Sequence, residues 1–342
     1  MSRVDQVEDV SGPITTTEPR RLQALRTVLR TQLQQALAFA SLLVIFAFFS
    51  VANDNFLSWS NVTGILLSTA VIGILALGTT FVIITGGIDL SLGTGMTLTA
   101  VLTGIFLVNF GLPLVVGVVG GILSGALMGL INGLNIALLR IPPFIATLAM
   151  MLIAQGLALV ISGATPIYFT NVQGFRSISQ GFPIPGLEIR AAVLILFALT
   201  AAATIILNKT LLGRYAFAIG SNEEATAVSG IPVRKWKIII YTLSGVFTGI
   251  AGVLMAARLN SAHPSLGVGY ELQAIAAVVI GGTSLQGGKG TMIGTLIGAL
   301  IVGTVTNGLR IMSVSQEWQS VIVGVVILAA VYIDMLRRGK DA

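Results

Sequence analysis

Apolar runs long enough to cross a lipid bilayer recur ten times in this chain, near 35–52, 62–85, 92–110, 113–139, 144–162, 190–207, 236–257, 268–282, 290–309 and 318–336. About 20 helical residues cross the roughly 30 Å of hydrocarbon, and most of the runs approach or exceed that length. The run 268–282 holds only 15 residues. Charge is correspondingly scarce: 9% of the 342 residues are charged and 55% are apolar, against about 25% and about 45–50% in a soluble domain. With a mean hydropathy of +0.95, these proportions exclude a soluble globular enzyme, a coiled coil and a disordered chain. They predict an all-α polytopic membrane protein of about ten transmembrane helices, some of them short or broken.

Orientation is read from the basic residues, which concentrate in cytoplasmic segments. With the N-terminus inside, fifteen of the nineteen lysines and arginines fall on the inner side; Arg176, Arg190, Arg258 and Arg310 fall outside. An even number of spans returns the basic C-terminus to the inside. Both termini are therefore expected to be cytoplasmic, in a multi-pass protein of the cytoplasmic (inner) membrane. Residues 1–34 read as a cytoplasmic tail, disordered to residue 19 and then a basic interfacial helix with Arg20, Arg21, Arg26 and Arg30. Residues 35–336 form the transmembrane domain and 337–342 a basic cytoplasmic end. Ser50-Val51-Ala52 imitates a signal-peptidase site, but the long tail with acidic residues before it favours an uncleaved anchor.

Whole classes of chemistry drop out. There is no cysteine for a disulfide or a thiolate, and one histidine, His263, builds neither a metal cluster nor a triad. The stretch Thr283–Thr291 fails as a phosphate loop, with Thr283 and Gly290 where the motif needs glycine and Ser/Thr. The basic residues are scattered along an apolar chain, which fits membrane loops and not a nucleic-acid surface.

Glycine is the loudest remaining signal. Gly117, Gly121, Gly125, Gly129 and Gly133 recur every four residues, as do Gly290, Gly294 and Gly298. That spacing puts each set on one helix face, for a sliding seam or for static close packing. Thr85–Gly95 (TGGIDLSLGTG) also resembles Ile280–Gly290 (IGGTSLQGGKG). At an offset of 195, Gly86, Gly87, Leu90, Gly93 and Gly95 match Gly281, Gly282, Leu285, Gly288 and Gly290. Glycine-interrupted segments in the two halves of a membrane chain point to a transport pathway. Gly86, Gly87, Gly281, Gly282, Thr283 and Ser284 are accordingly pathway candidates. Asp89, the one carboxylate between two apolar runs, is a helix cap, a cavity-facing pathway group, or both. Asn132 and Asn135 serve either the pathway or interhelical hydrogen bonding. Glu271 is expected at a solvated interface.

The inner loop of about 208–235 contains a sharply bounded helix, about 221–230. Ser221 or Asn222 can cap it, Glu223 and Glu224 suit its first turn, and Gly230 with Pro232 ends it. Ala225, Thr226, Ala227, Val228 and Ser229 make up its body, with Ala225 and Val228 on one face. It is an ordinary amphipathic loop helix or a rigid peg for a cytoplasmic partner.

This Gly220–Pro232 segment resembles the ATPase-docking coupling helix of sugar ABC importer permeases of the ribose type. So do Leu130–Gly133 continuing to Arg140–Leu148, Thr85–Ser91, and Gly269–Leu272 through Gly281–Ser284. The resemblance covers roughly 40–336; branched-chain amino-acid permeases are more distant relatives. It implies a permease subunit, homodimeric or pseudo-dimeric, that moves a monosaccharide or small polyol delivered by an external sugar-binding protein. It also implies that ATP and Mg bind separate ATP-binding-cassette subunits, so this chain carries no cofactor and no catalytic residue. Residues 221–230 would dock the ATPase, with Ala225 and Val228 in its groove and Glu223 and Glu224 at the rim. Arg176 and Arg258 are the candidates for docking the binding protein, the outer loop 163–189 being long enough to reach one. An ion-coupled secondary transporter is the alternative, but it would want paired intramembrane carboxylates, and Asp89 stands alone.

Overall fold

The apolar runs become helices in the computed structural model, which describes residues 20–184 and 188–339. The first 19 residues of the tail and the last three of the basic C-terminus lie outside the described residues. In chain order the helices are α1 (Arg20–Ala52), α2 (Trp59–Ile84), α3 (Leu92–Gly104, continued by a π turn over Ile105–Asn109), α4 (Leu114–Ala137), α5 (Pro143–Ser162), α6 (Ser177–Gln180) and α7 (Ala191–Lys209). Then come α8 (Leu211–Ser221), α9 (Glu223–Val228), α10 (Val233–Leu259), α11 (Tyr270–Ile280), α12 (Met292–Ile311) and α13 (Gln316–Gly339). Two short strands, β1 (Ile167–Tyr168) and β2 (Ser261–Ala262), pair antiparallel with Ile167 opposite Ala262.

Eight helices among the described residues are long and apolar enough to cross a membrane: α1 from Gln35, α2, α3 with its π turn, α4, α5, α7, α10 and α12. The run 268–282 yields the 11-residue α11, about 16 Å long and so half a bilayer. The run 318–336 lies within α13, a 24-residue helix that is not among the eight. The basic stretch 20–30 runs without a break into the first crossing, as one helix.

Sequence explains why α2 is central. It is apolar on all sides, as a helix with no solvent face must be, and every residue from Thr69 to Ile84 is buried. The helices α7, α10, α11 and α12 surround it. A second layer of α3, α4 and α5 packs on the far side of α10. On α4 and α5 an apolar face is left outward, including Val115, Val119, Leu152 and Val160; in a bilayer, lipid or another helix meets such a face.

Both glycine stripes are close-packed seams in this structure. Gly125 and Gly129 of α4 lie backbone to backbone on Gly245 and Gly249 of α10. Gly294 and Gly298 of α12 lie in the same way on Gly281 and Ala277. The missing side chains let the helix axes approach, which is how membrane helices gain contact without a hydrophobic driving force.

The connections alternate between two ends. At one end α9 and the turns 85–91, 138–142 and 281–291 collect, with Gln35 reaching Thr291 at 2.9 Å. At the other end stand α6, the β1–β2 pair, and the turn after α1, where Asn53 meets Ile311. Arg140, Lys209, Arg214, Arg234, Lys235, Lys237 and Lys289 fall at the α9 end, and Arg176, Arg190, Arg258 and Arg310 at the other.

Candidate functional site: two helix breaks beside a capped helix

The two breaks are helix stops of one kind. After α2, the Gly86 amide bonds Ile83 O at 2.9 Å and the Gly87 amide bonds Val82 O at 3.2 Å. After α11, the Gly282 amide bonds Val279 O at 2.9 Å and the Thr283 amide bonds Val278 O at 3.1 Å. This is the Schellman arrangement, whose left-handed residue favours glycine; φ is +77° at Gly86 and +89° at Gly282. Gly86 is thus equivalent to Gly282, 196 residues on. The register read from the sequence is one residue off, because Gly281 keeps a right-handed φ of −68°.

The two loops meet each other and the end of α8. The Gly288 amide donates to Ile84 O at 2.9 Å. A methyl group on Gly220 would overlap that same carbonyl and stand 2.6 Å from the Gly288 nitrogen. A methyl on Gly287 would stand 2.8 Å from Gly220 O and 2.9 Å from the Gly86 nitrogen. Three stretches of bare backbone therefore cross immediately before Asn222, the residue that caps α9. Ser284 closes the second loop, its amide donating to Lys289 O at 3.0 Å.

Asp89 is 2% exposed. Its Oδ1 accepts from the Ser91 amide at 2.9 Å and the Ser91 hydroxyl at 2.6 Å. Asn132 Nδ2 of α4 donates to the same hydroxyl at 2.9 Å. Asp89 therefore closes a side-chain turn upstream of α3 and is not the cap of a helix starting at Leu90: the N-cap is Ser91. Gly87 lies under the Tyr241 hydroxyl, with no room for a side chain. Asn132 Oδ1, the Tyr241 hydroxyl and Thr283 Oγ1 are buried without a hydrogen-bond partner. An unmet buried polar group costs about 1–3 kcal/mol, so each of these atoms favours a hydrogen-bonding partner. Asn135 is partly exposed, and no hydrogen bond among the described residues joins its side chain to this network. Glu271 is buried, not solvated: Oε1 accepts from the Gly269 amide at 2.9 Å, and Oε2 lies unpartnered against Gly93 because the start of α11 folds onto α3.

The capped helix is shorter than 221–230. Ser221 ends α8, and α9 covers Glu223–Val228. Asn222 caps it, its Oδ1 accepting from the Ala225 amide at 2.9 Å, and Gly230 leaves it at φ +82°. Only Thr226 turns inward; Ala225, Ala227 and Ser229 are exposed and Val228 is 90% exposed. Glu224 is exposed, but Glu223 is not free for a partner's rim, since Lys237 Nζ bonds both its oxygens at 2.7 Å.

At the other end Arg176 is exposed and lines a 280 Å³ hollow with Arg190. Arg190 donates to Gln180 Oε1 at 3.1 Å and lies over the Phe182 ring. Arg258 is partly buried, a weaker docking candidate than its outer position suggested.

A buried central helix, paired glycine stops and a small capped helix at their junction define a multi-pass transport permease. Residues 61–331 match the family described as "branched-chain amino acid transport system / permease component". The ribose import permease of Bacillus subtilis is 44% identical over 309 residues, covering 89% of this chain and 92% of that protein. Its counterpart in Escherichia coli K12 is 42% identical over 305 residues, covering 88% and 94%. The fructose import permease of Rhizobium meliloti is 36% identical over 321 residues, covering 93% and 89%. No solved structure matches. The chain belongs to this family of ABC-importer permease components: it is a transport subunit of the inner membrane, of a kind that works with ATPase and binding-protein partners. The resemblance to ribose-type importer permeases holds, and the ion-coupled alternative falls.

Proposed function

We propose that this chain, as a homodimer, moves a monosaccharide of the ribose class inward, driven by ATP hydrolysed in partner subunits. The substrate reading is carried by one observation. Relatives named for ribose import are 42–44% identical over nearly nine-tenths of the chain, whereas those named for fructose, D-allose and L-arabinose import are 36%, 36% and 39% identical. The α9 end is cytoplasmic, as its share of the basic residues supports. There α9 docks the ATPase, which holds ATP and Mg; this chain holds no cofactor. The exposed Val228 and the capped, bounded ends of α9 support that role. The external binding protein docks at the opposite end, with the exposed Arg176 offering a cation to its carboxylates. The solute passes between the two breaks, beside Gly87, Asp89, Asn132, Thr283 and Ser284. The unpartnered polar atoms there support this, whereas Asn135 stands at its edge.

Uptake of labelled ribose by vesicles holding the permease, its ATPase and its binding protein tests the reading. Saturable, ATP-dependent ribose uptake is expected, with fructose and arabinose competing weakly. Uptake that persists when hydrolysis is blocked and an ion gradient remains would overturn the coupling; preference for another sugar would overturn the substrate.

A further inference from the structure

A pocket of 590 Å³ opens at the α9 end, where the last turn of α4, the turn into α5, the flank of α9 and the start of α10 converge. Its charged lining is Arg140, Arg234, Lys237 and Glu223. Glu223 and Lys237 neutralise each other. Arg140 and Arg234 remain, both exposed, with no hydrogen bond or ion pair to any described residue. Two guanidinium groups over one hollow, with no counter-charge left for them among the described residues, make an anion site, and their planar forks suit phosphate oxygens. Arg140 is held over the hollow by a left-handed backbone, φ 57°, a conformation that bulky side chains rarely adopt.

The rim decides which anion. Leu138 and Leu139 precede Arg140, and Phe144 and Ile145 begin α5; they are 53%, 68%, 53% and 56% exposed. The crossings of α4, α5 and α10 end or begin here, so the arginines stand at headgroup level and the rim reaches toward the acyl chains. A free phosphate would use the arginines and gain nothing from the rim, whereas a phospholipid uses both. Basic pockets between span ends attract anionic headgroups in this way. We propose that the pocket holds one anionic phospholipid, its phosphodiester on Arg140 and Arg234 and its chains along Leu139 and Phe144. Because Glu223 and Ala227 of α9 also line the pocket, the bound headgroup braces that helix from its membrane side.

The test uses the full-length permease in nanodiscs of phosphatidylcholine containing phosphatidylglycerol, with bound lipid counted by native mass spectrometry. The wild type should retain a phosphatidylglycerol. R140Q/R234Q should hold it more weakly by roughly tenfold or more, the loss of a charge-assisted contact. K209Q/R214Q removes the same charge at the same end, outside the pocket, and should retain the lipid. If the double variant does not fold, R140Q alone reads the same loss. Unchanged retention in R140Q/R234Q overturns the proposal, and so does equal loss in K209Q/R214Q. Displacement of the lipid by glycerophosphoglycerol, the headgroup without its chains, would show a soluble-anion site and also overturn it. A fourth result would do the same by assigning the pocket to the ATPase seat: retained lipid with loss of the co-purifying ATPase in R140Q/R234Q.

Discussion

Val228 shows how one side chain separates stability from assembly. At 90% exposure it contributes almost nothing to the fold, so Val228→Asp should leave the thermal unfolding of the permease within about 0.5 kcal/mol of wild type. Seated in a partner's groove, the same carboxylate would be buried without a partner, at a cost of several kcal/mol. The expected result is a normally inserted permease that loses its ATPase on purification and no longer transports. Glu223→Gln is the comparison: it removes only the tie to Lys237, about 1 kcal/mol or less, and should leave ATPase retention nearly intact. Residue-scale legibility was uneven for a physical reason. Asp89 and Asn132 stood out because polar groups in an apolar chain must find partners. Tyr241 did not, because it lies inside an apolar run and gains its place over Gly87 only when α10 crosses the first break. Gly220 was hidden in the same way; its lack of a side chain matters only against a carbonyl far away in sequence.

At the scale of elements, the seams give a paired experiment. A methyl on Gly129 would press into the backbone of α10, and prying the helices apart should cost about 1–3 kcal/mol in thermal unfolding. A methyl on Gly156, on the outward face of α5, meets nothing within 4 Å, so Gly156→Ala should be neutral or stabilise by up to about 1 kcal/mol. Equal effects would mean that the seam does not govern packing. Gly220→Ala probes the junction instead. It should leave ATPase bound and hydrolysing while sugar uptake collapses, because the α9 helix would no longer be seated on both loops. Normal uptake would show that the crossing transmits nothing. Most helices were legible from the apolar runs and cap residues. The register of the two breaks was not, since matching glycines by position ignores which one turns left-handed. The continuity of α1 was also hidden: four arginines marked a basic interfacial helix ahead of the first span, and the sequence did not show that it continues into that span, although arginine is a good helix former and nothing there stops the helix.

Across the whole molecule, the alternation of ends makes a labelling experiment sharp. Ser177 and Ser229 are both exposed and lie beyond opposite ends of α7. Single cysteines at these positions, in a chain that has none, should react with impermeant reagents from opposite sides of sealed vesicles, Ser229 from the cytoplasmic side. Labelling of both from one side would break the topology. The two ends were legible from charge because the basic residues of the described chain collect mainly at one of them, whereas the meeting of the two loops with the end of α8 is a tertiary event that local sequence does not encode. That meeting carries a kinetic signature. The hydrogen of the Gly288 amide, held on Ile84 O, can be replaced by deuterium only while the loops stand apart. Isotope uptake at this one backbone position should therefore be slow at rest and speed up during turnover, so that a single proton times the opening of the permease.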